Sequence, residues 1–499
     1  MGILRDVVVE QDAYGGPDVL SATGARGFSP PRWSLVALGV CVGVLLSALT
    51  RRSLIDDAYI TMDYARTFAE HGVWGLEPGL VSNTATSPLN VVLLSIVTFV
   101  TGSPLVAVGV VLALSFALLG ASVGGVCDCL GWSRWFAVAA VLVLGTSPLL
   151  VSTIGLETYL AVAIVAALVR AATAERPGLA GLAAGVLVLV RLDLVMFVIA
   201  ALAALTLLRR APRFLLTGIV VALPWFLVSW WFLGSAVPDT LLLKAGDQWG
   251  PWTYLNGLLL YSRVYPEATY LSVVPAGLGI VVGLFLLGRS VVRRSGRLGG
   301  IVAILGGGAA LHAIAFTLLH TAPYHWYYGP ALGAASLLGV LGLAELPRLV
   351  RGVGLVGSGA LVVVAGIFLG RHDWATAPIT TNWATPDQYR AAAALAPPGA
   401  VVASPGEIGT LAYYCDCTVV DQFSDRGRID TLIHDRTAEA GPVFRALLDA
   451  NYARLRTEAP LRQAYEFVVD PAVQGVPIGT PWHAPSMLGI RPAGAVSGG

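Results

Sequence analysis

The sequence predicts a polytopic, mainly α-helical membrane protein with a small α/β domain at its C-terminal end. Of its 499 residues, 56% are hydrophobic and only 12% are charged, which is about half the charged fraction usual in soluble proteins. The mean hydropathy is +0.74. A formal net charge of +1 gives no basic surface of the kind that binds nucleic acid. The lipid bilayer is therefore the expected partner, and nucleic acid is not.

Eleven apolar segments account for the predicted membrane domain, residues 34–370. A helix needs about 20 apolar residues to cross a bilayer. The stretch 178–208 is too long for one span, so it is divided at the charged residues Arg191 and Asp193. Residues 88–101 are apolar but short, which favours a helix at the membrane interface. The predicted spans are 34–50, 105–126, 135–153, 157–173, 178–190, 194–208, 213–232, 269–288, 299–319, 328–344 and 353–370.

The distribution of arginine predicts the orientation in the membrane. Basic residues accumulate in cytoplasmic loops, and the densest basic cluster runs from Arg289 to Arg297. Placing that cluster inside puts the N-terminus in the cytoplasm and requires that 88–101 does not span. The expected segments of this plasma-membrane protein are a disordered cytoplasmic tail (1–33), a first outer loop (51–104) and an extracytoplasmic C-terminal domain (371–499).

Two adjacent carboxylates, Asp56 and Asp57, follow the first predicted span. Charges beside a bilayer are costly and tend to mark function. In a structural interpretation, Asp57 caps a helix over 58–71 and Asp56 is a solvated loop acid. In a catalytic interpretation, the two carboxylates repel and their proton affinities separate. One of them then serves as a general base or holds a divalent cation such as Mg²⁺, Mn²⁺ or Ca²⁺.

Lys244 is the only lysine among 31 basic residues. A single lysine in a chain that otherwise uses arginine indicates a need for a compact ammonium, for example to bind a phosphate. The alternative is an interfacial lysine whose stem lies along the bilayer. Arg263 is a further candidate for phosphate binding, whereas Arg191 is expected to pair with Asp193.

An aromatic segment lies at the outer boundary of a predicted span. His325 is a candidate for contact with phosphate or sugar. Tyr324, Trp326 and Tyr327 are candidates for sugar binding, because sugar rings present apolar faces to aromatic rings. The alternative is that these rings only anchor the chain at the interface. Glu157 is expected either to begin a helix near the outer face or to bind the acceptor.

The region after the last span is less apolar and is predicted to form the α/β domain. Two segments rich in β-branched residues, 400–403 and 418–421, are predicted strands on either side of a short helix from Glu407. A third strand is predicted at 467–470. Alternating strands and helices of this kind are typical of a small mixed domain.

Three further residues of this region have two interpretations each. Asp421 is a turn acid at the end of a strand or an acid that reaches over the active site. Cys415 and Cys417 are expected to be unpaired thiols, because a disulfide across a single intervening residue is strained. A disulfide between them is the alternative.

Six short sequence motifs lie between residues 50 and 430. They are Asp56-Asp-Ala-Tyr-Ile-x-x-x-Tyr-Ala-Arg66, Gly72-Val-Trp-Gly75, Asn83-Thr-Ala-Thr-Ser-Pro88, Gly155-Leu-Glu-Thr158, Pro238-Asp-Thr240 and Gly406-Glu-Ile-Gly409. Together they resemble the GT-C glycosyltransferases, and most closely the actinobacterial arabinofuranosyltransferase B-like group. The stretch Asp421-Gln-Phe-Ser-Asp-Arg426 departs from the commoner Asp-x-x-Gly-Leu of that group. The resemblance implies a GT-C fold of about 11 transmembrane helices plus outer interfacial helices.

The resemblance also implies a function. The expected enzyme moves a sugar, arabinofuranose in the most similar group, from a polyprenyl-phosphate donor to a cell-wall glycan acceptor on the outer face. In this scheme an acid of the first outer loop, Asp56 or Asp57, activates the acceptor. The proposed donor-phosphate ligands are Lys244, His325 and Arg263, and the proposed acceptor or sugar ligands are Glu157, Tyr324, Trp326, Tyr327 and Asp421.

Other functions are compatible with the same sequence. One alternative is an enzyme that differs only in its substrates, with mannose or another hexose transferred to protein or glycolipid. A transporter of lipid-linked sugars is a different class, but it would place polar residues near the middle of the membrane, whereas here they collect at one face. A non-catalytic partner protein is a third class.

Overall fold

The computed structural model describes residues 29–204, 210–244, 249–293, 295–456 and 459–494. Most of the predicted cytoplasmic tail lies outside these ranges, and so does the end of the predicted span 194–208. Each of the eleven predicted spans contains an apolar helix among the described residues. The prediction of a mainly helical, multi-pass membrane fold is therefore confirmed.

Sixteen helices precede the C-terminal region in the described part of the chain. They are α1 (Arg32–Thr50), α2 (Asp56–His71), α3 (Pro88–Thr101), α4 (Pro104–Leu130), α5 (Trp135–Gly145), α6 (Pro148–Val151), α7 (Thr158–Thr173), α8 (Pro177–Val190), α9 (Leu192–Leu202), α10 (Ala211–Leu233), α11 (Thr240–Leu243), α12 (Gly257–Val264), α13 (Pro266–Arg293), α14 (Gly296–Leu318), α15 (His325–Glu345) and α16 (Arg348–Arg371). Seven of the described helices are long and apolar enough to cross a membrane, namely α1, α4, α10, α13, α14, α15 and α16. The apolar helices α3, α5, α7, α8 and α9 are shorter.

Burial separates a central helix from peripheral ones. In its most apolar 18-residue stretch, 72% of α15 is buried, compared with 11% of α10 and of α16. The apolar surfaces of α10 and α16 are thus left for lipid. At the other side of the bundle, α1 approaches α4 closely, since a Cβ on Gly39 would lie 2.3 Å from the Phe116 carbonyl oxygen. Small residues allow such close packing of membrane helices.

The amphipathic helix α2 lies against α3, and it begins at Asp56, two residues earlier than predicted. Its N-cap residue is Ile55, whose carbonyl accepts the N–H of Ala58, and no side chain caps the helix. The prediction that Asp57 caps this helix is therefore wrong. Both acids lie inside the first turn, where a carboxylate faces the positive end of the helix dipole.

The described part of the C-terminal region contains four α-helices, a short 3-10 helix at Arg426–Arg428 and a five-stranded sheet. Its elements are α17 (Pro386–Ala393), β1 (Val401–Ala403), α18 (Gly409–Tyr414), β2 (Thr418–Val420), α19 (Asp430–Glu439), α20 (Pro442–Tyr452), β3 (Tyr465–Val469), β4 (Gly475–Thr480) and β5 (His483–Pro492). The strand order is β2-β1-β3-β5-β4, with β1 parallel to both neighbours and β5 antiparallel to both of its own. The three predicted strands are confirmed as β1, β2 and β3. The β4–β5 hairpin was not predicted. This region packs on the bundle at α2, where Gly409 of α18 lies against Asp56 and Ile60. We call this face of the bundle the domain face.

The two cysteines near α18 form a disulfide. Cys415 and Cys417 are bonded, with their Cα atoms 5.0 Å apart, a separation that disulfides commonly have. The expectation of two unpaired thiols is therefore wrong. The physical reason is that α18 ends at Tyr414 and the chain turns into β2 at Thr418, so the turn brings the two side chains together.

Candidate active site

Asp57 and Lys244 form an ion pair on the domain face. The Oδ1 atom of Asp57 lies 3.2 Å from the Nζ atom of Lys244. The side chains are 28% and 20% exposed, so the pair is largely enclosed but still open to solvent. Asp57 comes from the first turn of α2, and Lys244 is the residue that follows α11. The fold thus joins the two loops that the sequence singled out for an acid and for a cation.

Lys244 also lies over two aromatic rings. Its Nζ atom is 4.7 Å from the ring centre of Tyr324 and 5.4 Å from that of Trp326, and the two rings are stacked 4.6 Å apart. Such cation–π contacts hold an ammonium in place. Burial lowers the pKa of Lys244, but the negative charge of Asp57 more than offsets it, so the pKa is raised overall. The amine is therefore charged at physiological pH.

Asp56 has different surroundings from Asp57. It is 5% exposed, and its two carboxylate oxygens accept the N–H groups of Gly409 at 3.1 Å and Thr410 at 2.7 Å. The Asp56 carboxylate therefore caps the start of α18, although the two lie more than 350 positions apart in the sequence. A Cβ on Gly409 would lie 2.2 Å from the Asp56 carbonyl oxygen, so this contact requires glycine. Burial raises the pKa of Asp56, although the amide hydrogen bonds oppose that change.

His325 and Arg263 lie apart from the ion pair. His325 is fully buried at the start of α15, and its ring is edge-on to Tyr261 at 6.1 Å and to Trp326 at 5.0 Å. The Arg263 guanidinium lies 5.2 Å from the ring centre of Trp252. Among the described residues, no hydrogen bond or ion pair joins either side chain to the pair. Their role as phosphate ligands stays a prediction.

Glu157 and Tyr327 belong to a second charged cluster. Arg191 donates hydrogen bonds to Asp193 at 2.6 Å and to Glu157 at 2.8 Å. His312 lies 2.7 Å from the other oxygen of Asp193, and the Tyr327 ring lies 5.5 Å from the guanidinium. The predicted pairing of Arg191 with Asp193 is confirmed. Glu157 stands at the N-cap position of α7 and is an ion-pair partner, and its role as an acceptor ligand stays a prediction.

Asp421 organises the turn that follows β2. Its Oδ1 atom accepts the N–H groups of Phe423 at 2.6 Å and Ser424 at 3.0 Å. Burial raises the pKa of Asp421 to about 6, although these two bonds oppose the rise. The Phe423 carbonyl in turn accepts the hydroxyl of Thr84 at 2.8 Å. The turn role, one of the two that were predicted for Asp421, is thus the one the contacts support.

Two acids that the sequence did not single out, the buried Glu77 and the half-buried Glu407, lie where the C-terminal region meets the bundle. Glu407 accepts the N–H of Trp383 at 3.1 Å, and burial, with a further contribution from the charge of Asp56, raises its pKa well above the usual range. Glu77 accepts the N–H of Val419 at 2.9 Å, and burial raises its pKa to about 7. Glu407 lies in a motif that resembles the GT-C family, so a signal existed for it. For Glu77 there was none.

The acids at this site do not match the donor set of a divalent cation. No group of three or more His, Cys, Asp or Glu side chains in the described part of the chain is arranged to hold a metal ion. Asp56 uses both oxygens on amides, and Asp57 faces an ammonium that repels cations. A bound Mg²⁺, Mn²⁺ or Ca²⁺ stays a prediction from the sequence, and the steps proposed for this site use protein groups alone.

The bundle, its amphipathic helix α2 and the appended α/β region together form a fold of the GT-C type. Solved structures with 13–16% sequence identity share this fold across more than four fifths of the chain. The sequence itself matches no family model and no curated protein.

Two proteins of known structure illustrate the similarity of fold. ArnT from Cupriavidus metallidurans in the apo state aligns with a TM-score of 0.53 and 16% identity, over 82% of this chain and 87% of that one. The same protein bound to undecaprenyl phosphate gives a TM-score of 0.50 and 15% identity, over 82% and 88%. The Archaeoglobus fulgidus oligosaccharyltransferase tethered to an acceptor peptide gives 0.53 and 14%, over 88% and 69%. At these identities the likeness establishes the fold, and the arabinofuranosyltransferase B-like group stays a prediction.

Proposed function

We propose that this protein is a membrane glycosyltransferase that transfers a sugar from a polyprenyl-phosphate donor. The observation that carries the proposal is the Asp57–Lys244 pair, a carboxylate and an ammonium 3.2 Å apart at the end of a membrane helix bundle. An acid that receives a proton and a cation that stabilises a departing phosphate are the two groups that glycosyl transfer from such a donor needs.

The position of Lys244 suits a lipid-borne phosphate. The polyprenyl tail of such a donor lies in the bilayer, and its anionic head lies at the membrane boundary. Lys244 presents a charged amine there, over the rings of Tyr324 and Trp326, which offer an apolar surface to the adjoining sugar. That undecaprenyl phosphate is bound by ArnT, and dolichol phosphate by the archaeal oligosaccharyltransferase, supports a donor of this class on the same fold.

Donor binding also prepares the base. In the free protein Lys244 is the partner of Asp57, and the phosphate of a donor competes for the same ammonium. Once Lys244 turns to the phosphate, the Asp57 carboxylate is free to accept a hydrogen bond from the acceptor hydroxyl. The acceptor hydroxyl then loses its proton to Asp57 as its oxygen bonds to the anomeric carbon, and the bond from that carbon to the phosphate oxygen breaks. The leaving phosphate keeps the electron pair, and Lys244 neutralises its charge.

The stereochemistry leaves a second role open for Asp57. If the configuration at the anomeric carbon is inverted, the base role suffices. If it is retained, Asp57 stabilises the oxocarbenium-like centre that develops as the phosphate leaves. Asp56 takes neither role in this proposal, because both of its oxygens already accept amide hydrogen bonds.

The finer identity of the substrates rests on the motif resemblance. We propose arabinofuranose as the sugar and a cell-wall glycan as the acceptor, with the reaction at the outer face of the plasma membrane and the N-terminus in the cytoplasm. A hexose such as mannose, with protein or glycolipid as the acceptor, is the alternative. The same ion pair would serve both.

A transfer assay tests the proposal. Purified protein in lipid nanodiscs is given radiolabelled decaprenyl-phosphate-arabinose with an arabinan oligosaccharide, and in parallel polyprenyl-phosphate-mannose with a mannan. We expect transfer from one of these donors and a loss of about 10²–10⁴-fold in Asp57→Asn, the usual contribution of a general base. The control is Glu70→Gln, an exposed acid on the same helix. Transfer by Asp57→Asn at the wild-type rate would refute the role of Asp57, and no transfer from any donor would refute the enzyme.

A further inference from the structure

The position of Lys244 depends on a short loop. This loop leaves α10 at Leu233, forms the single-turn helix α11 and ends at Lys244. Asp239, the residue before α11, is 1% exposed, and its carbonyl accepts the N–H groups of Leu242 and Leu243. A four-residue helix has little stability of its own, so contacts from elsewhere must hold it.

One side chain of the C-terminal region makes several of these contacts, beside those that the Asp239 N–H and the Thr240 hydroxyl make to the carbonyls of Asn83 and Thr84. The Arg426 guanidinium donates to both carboxylate oxygens of Asp239, at 2.8 and 3.1 Å, and to the Ser235 hydroxyl at 2.7 Å. It also donates to the carbonyl oxygen of Leu233. The side chain is 10% exposed. Arg426 therefore binds the loop at its start and at the base of α11.

Arginine suits this task for a geometric reason. Its planar guanidinium matches a carboxylate with two parallel hydrogen bonds and has further N–H groups for other acceptors, whereas an ammonium cannot reproduce that fork. Removing one partner of a buried pair leaves the other charge uncompensated. Loss of Arg426 would thus leave the Asp239 carboxylate buried without a counter-charge, with the Ser235 hydroxyl still bonded to it, and the helix that precedes Lys244 would shift or fray.

We propose that Arg426 is a positioning residue for donor binding: it holds Asp239, and through α11 it fixes the ammonium of Lys244 where the donor phosphate binds. The C-terminal region would then be part of the donor site, although Arg426 touches no substrate. This inference rests on the proposed function of Lys244 as a phosphate ligand. A displacement of about 1 Å at a reacting group can cost about 10²-fold in rate, so the effect is measurable.

The chain offers a matched control in the same turn. Arg428 lies two residues further on, and its hydrogen bonds go to Asp425, to Gln463 and to the carbonyl oxygen of Leu461. All three partners belong to the C-terminal region. Arg428→Gln therefore removes hydrogen bonds from the same turn, as Arg426→Gln does, but none of those bonds is to the loop that ends at Lys244.

The kinetic experiment is a double-mutant cycle with Lys244. In nanodiscs, KM for the donor and for the acceptor is measured for Arg426→Gln and Arg428→Gln, each in the wild-type and in the Lys244→Gln background. We expect Arg426→Gln to raise the donor KM about 10–100-fold, with acceptor KM within about twofold, and to have no more than a twofold further effect once Lys244 is gone. Arg428→Gln should leave the donor KM unchanged. An equal effect of Arg426→Gln in both backgrounds would overturn the proposal.

Hydrogen exchange tests the positioning without activity. Arg426→Gln is expected to speed amide exchange at Leu242 and Leu243 at least about tenfold, without change in α18, and Arg428→Gln is not. Arg426→Lys, which keeps the charge, covers the case in which the glutamine variant does not fold, and it should show an intermediate change. Unchanged exchange at α11 would overturn the inference. If no donor supports transfer in the wild type, the proposed function fails while this exchange result still decides the positioning role.

Discussion

The domain face carries two charged clusters that differ in how completely their charges are satisfied. In the first, the Arg191 guanidinium is bonded to Glu157 and to Asp193, and Asp193 is bonded in turn to His312. The side chains of Arg191 and Glu157 are each 6% exposed, that of His312 is fully buried, and only that of Asp193, at 24%, is partly open. In the second, Asp57 and Lys244 have each other, two aromatic rings, and 20–28% exposure.

The two clusters differ in whether a substrate can bind to their charged groups. A closed network of charges resists change, since removing one member leaves the others buried without compensation. A half-open pair still has hydrogen-bonding capacity, and a substrate can take one partner from the other. The closed cluster is therefore expected to support the fold, and the open pair is expected to support turnover.

The largest expected effect breaks the closed cluster. Arg191→Met leaves Asp193 and Glu157 facing each other without a cation, and the free energy of unfolding should fall by about 3–5 kcal/mol. Thermal unfolding in detergent measures this. Arg176→Met, at the exposed start of the same helix α8, is the control and should change stability little. If Arg191→Met unfolds at the wild-type temperature, the cluster does not hold the fold.

A smaller loss is expected from Asp56→Asn. The amide nitrogen of asparagine cannot accept the N–H groups of Gly409 and Thr410, so one amide loses its partner, at a cost of about 1–3 kcal/mol. Asp57→Asn should cost less than about 1 kcal/mol, as for a partly exposed ion pair. Unfolding midpoints of the two variants, compared in one detergent, sharpen the contrast between adjacent acids. Equal midpoints would contradict it.

Glu77 is an intermediate case, because it is buried but has a single amide partner. Its folded pKa is raised to about 7, so its contribution to stability is complete below the unfolded pKa of about 4.5 and is lost as pH rises through 7. Glu77→Gln keeps an oxygen for Val419 and removes the titration. As the pH is raised from 5 to 8, the free energy of unfolding of the variant should therefore increase by about 2 kcal/mol relative to that of the wild type. Unfolding at the two pH values measures this, and a parallel shift of both proteins would show that Glu77 does not titrate.

The smallest effect concerns the kind of cation in the open pair. Lys244→Arg keeps the charge but replaces a compact ammonium with a planar fork over Tyr324 and Trp326. We expect donor KM to rise about tenfold, which corresponds to about 1.4 kcal/mol, with unfolding unchanged. Steady-state kinetics with varied donor concentration provides the measurement. A donor KM below twice the wild-type value would mean that only the charge matters.

Local patterns explain what could be predicted from the sequence. Hydrophobic length is a property of consecutive residues, so the apolar helices were found, and the single lysine and the paired acids attracted attention by their rarity. Long-range pairing is not visible in this way. Asp56 meets α18 across more than 350 positions, and Arg426 meets Asp239 across 187. Arg426 did lie in a stretch that departs from the family pattern, but its partner was not apparent.

The same reasoning accounts for the errors. The cap role of Asp57 was inferred from helix-start statistics, yet the helix begins two residues earlier than predicted, and it is Asp56 that caps a helix, by accepting the amides of α18. The disulfide was not expected, because a disulfide across a single intervening residue is strained. Here, however, the chain turns between the end of a helix and the start of a strand, and the turn brings Cys415 and Cys417 together. A long-range contact explains the first error, and the local course of the chain explains the second.

Two helices that meet the closed cluster, α7 and α8, are short. Helices α7 and α8 have 16 and 14 residues, about 24 and 21 Å of length, less than the roughly 30 Å of a hydrocarbon core. His312, at the closed cluster, lies six residues before the Leu318 end of α14, about 9 Å down that helix. The closed cluster therefore lies below the end of α14, where His312 is fully buried. It ties three helices together at that depth, because Glu157 precedes α7, Arg191 follows α8 and His312 belongs to α14.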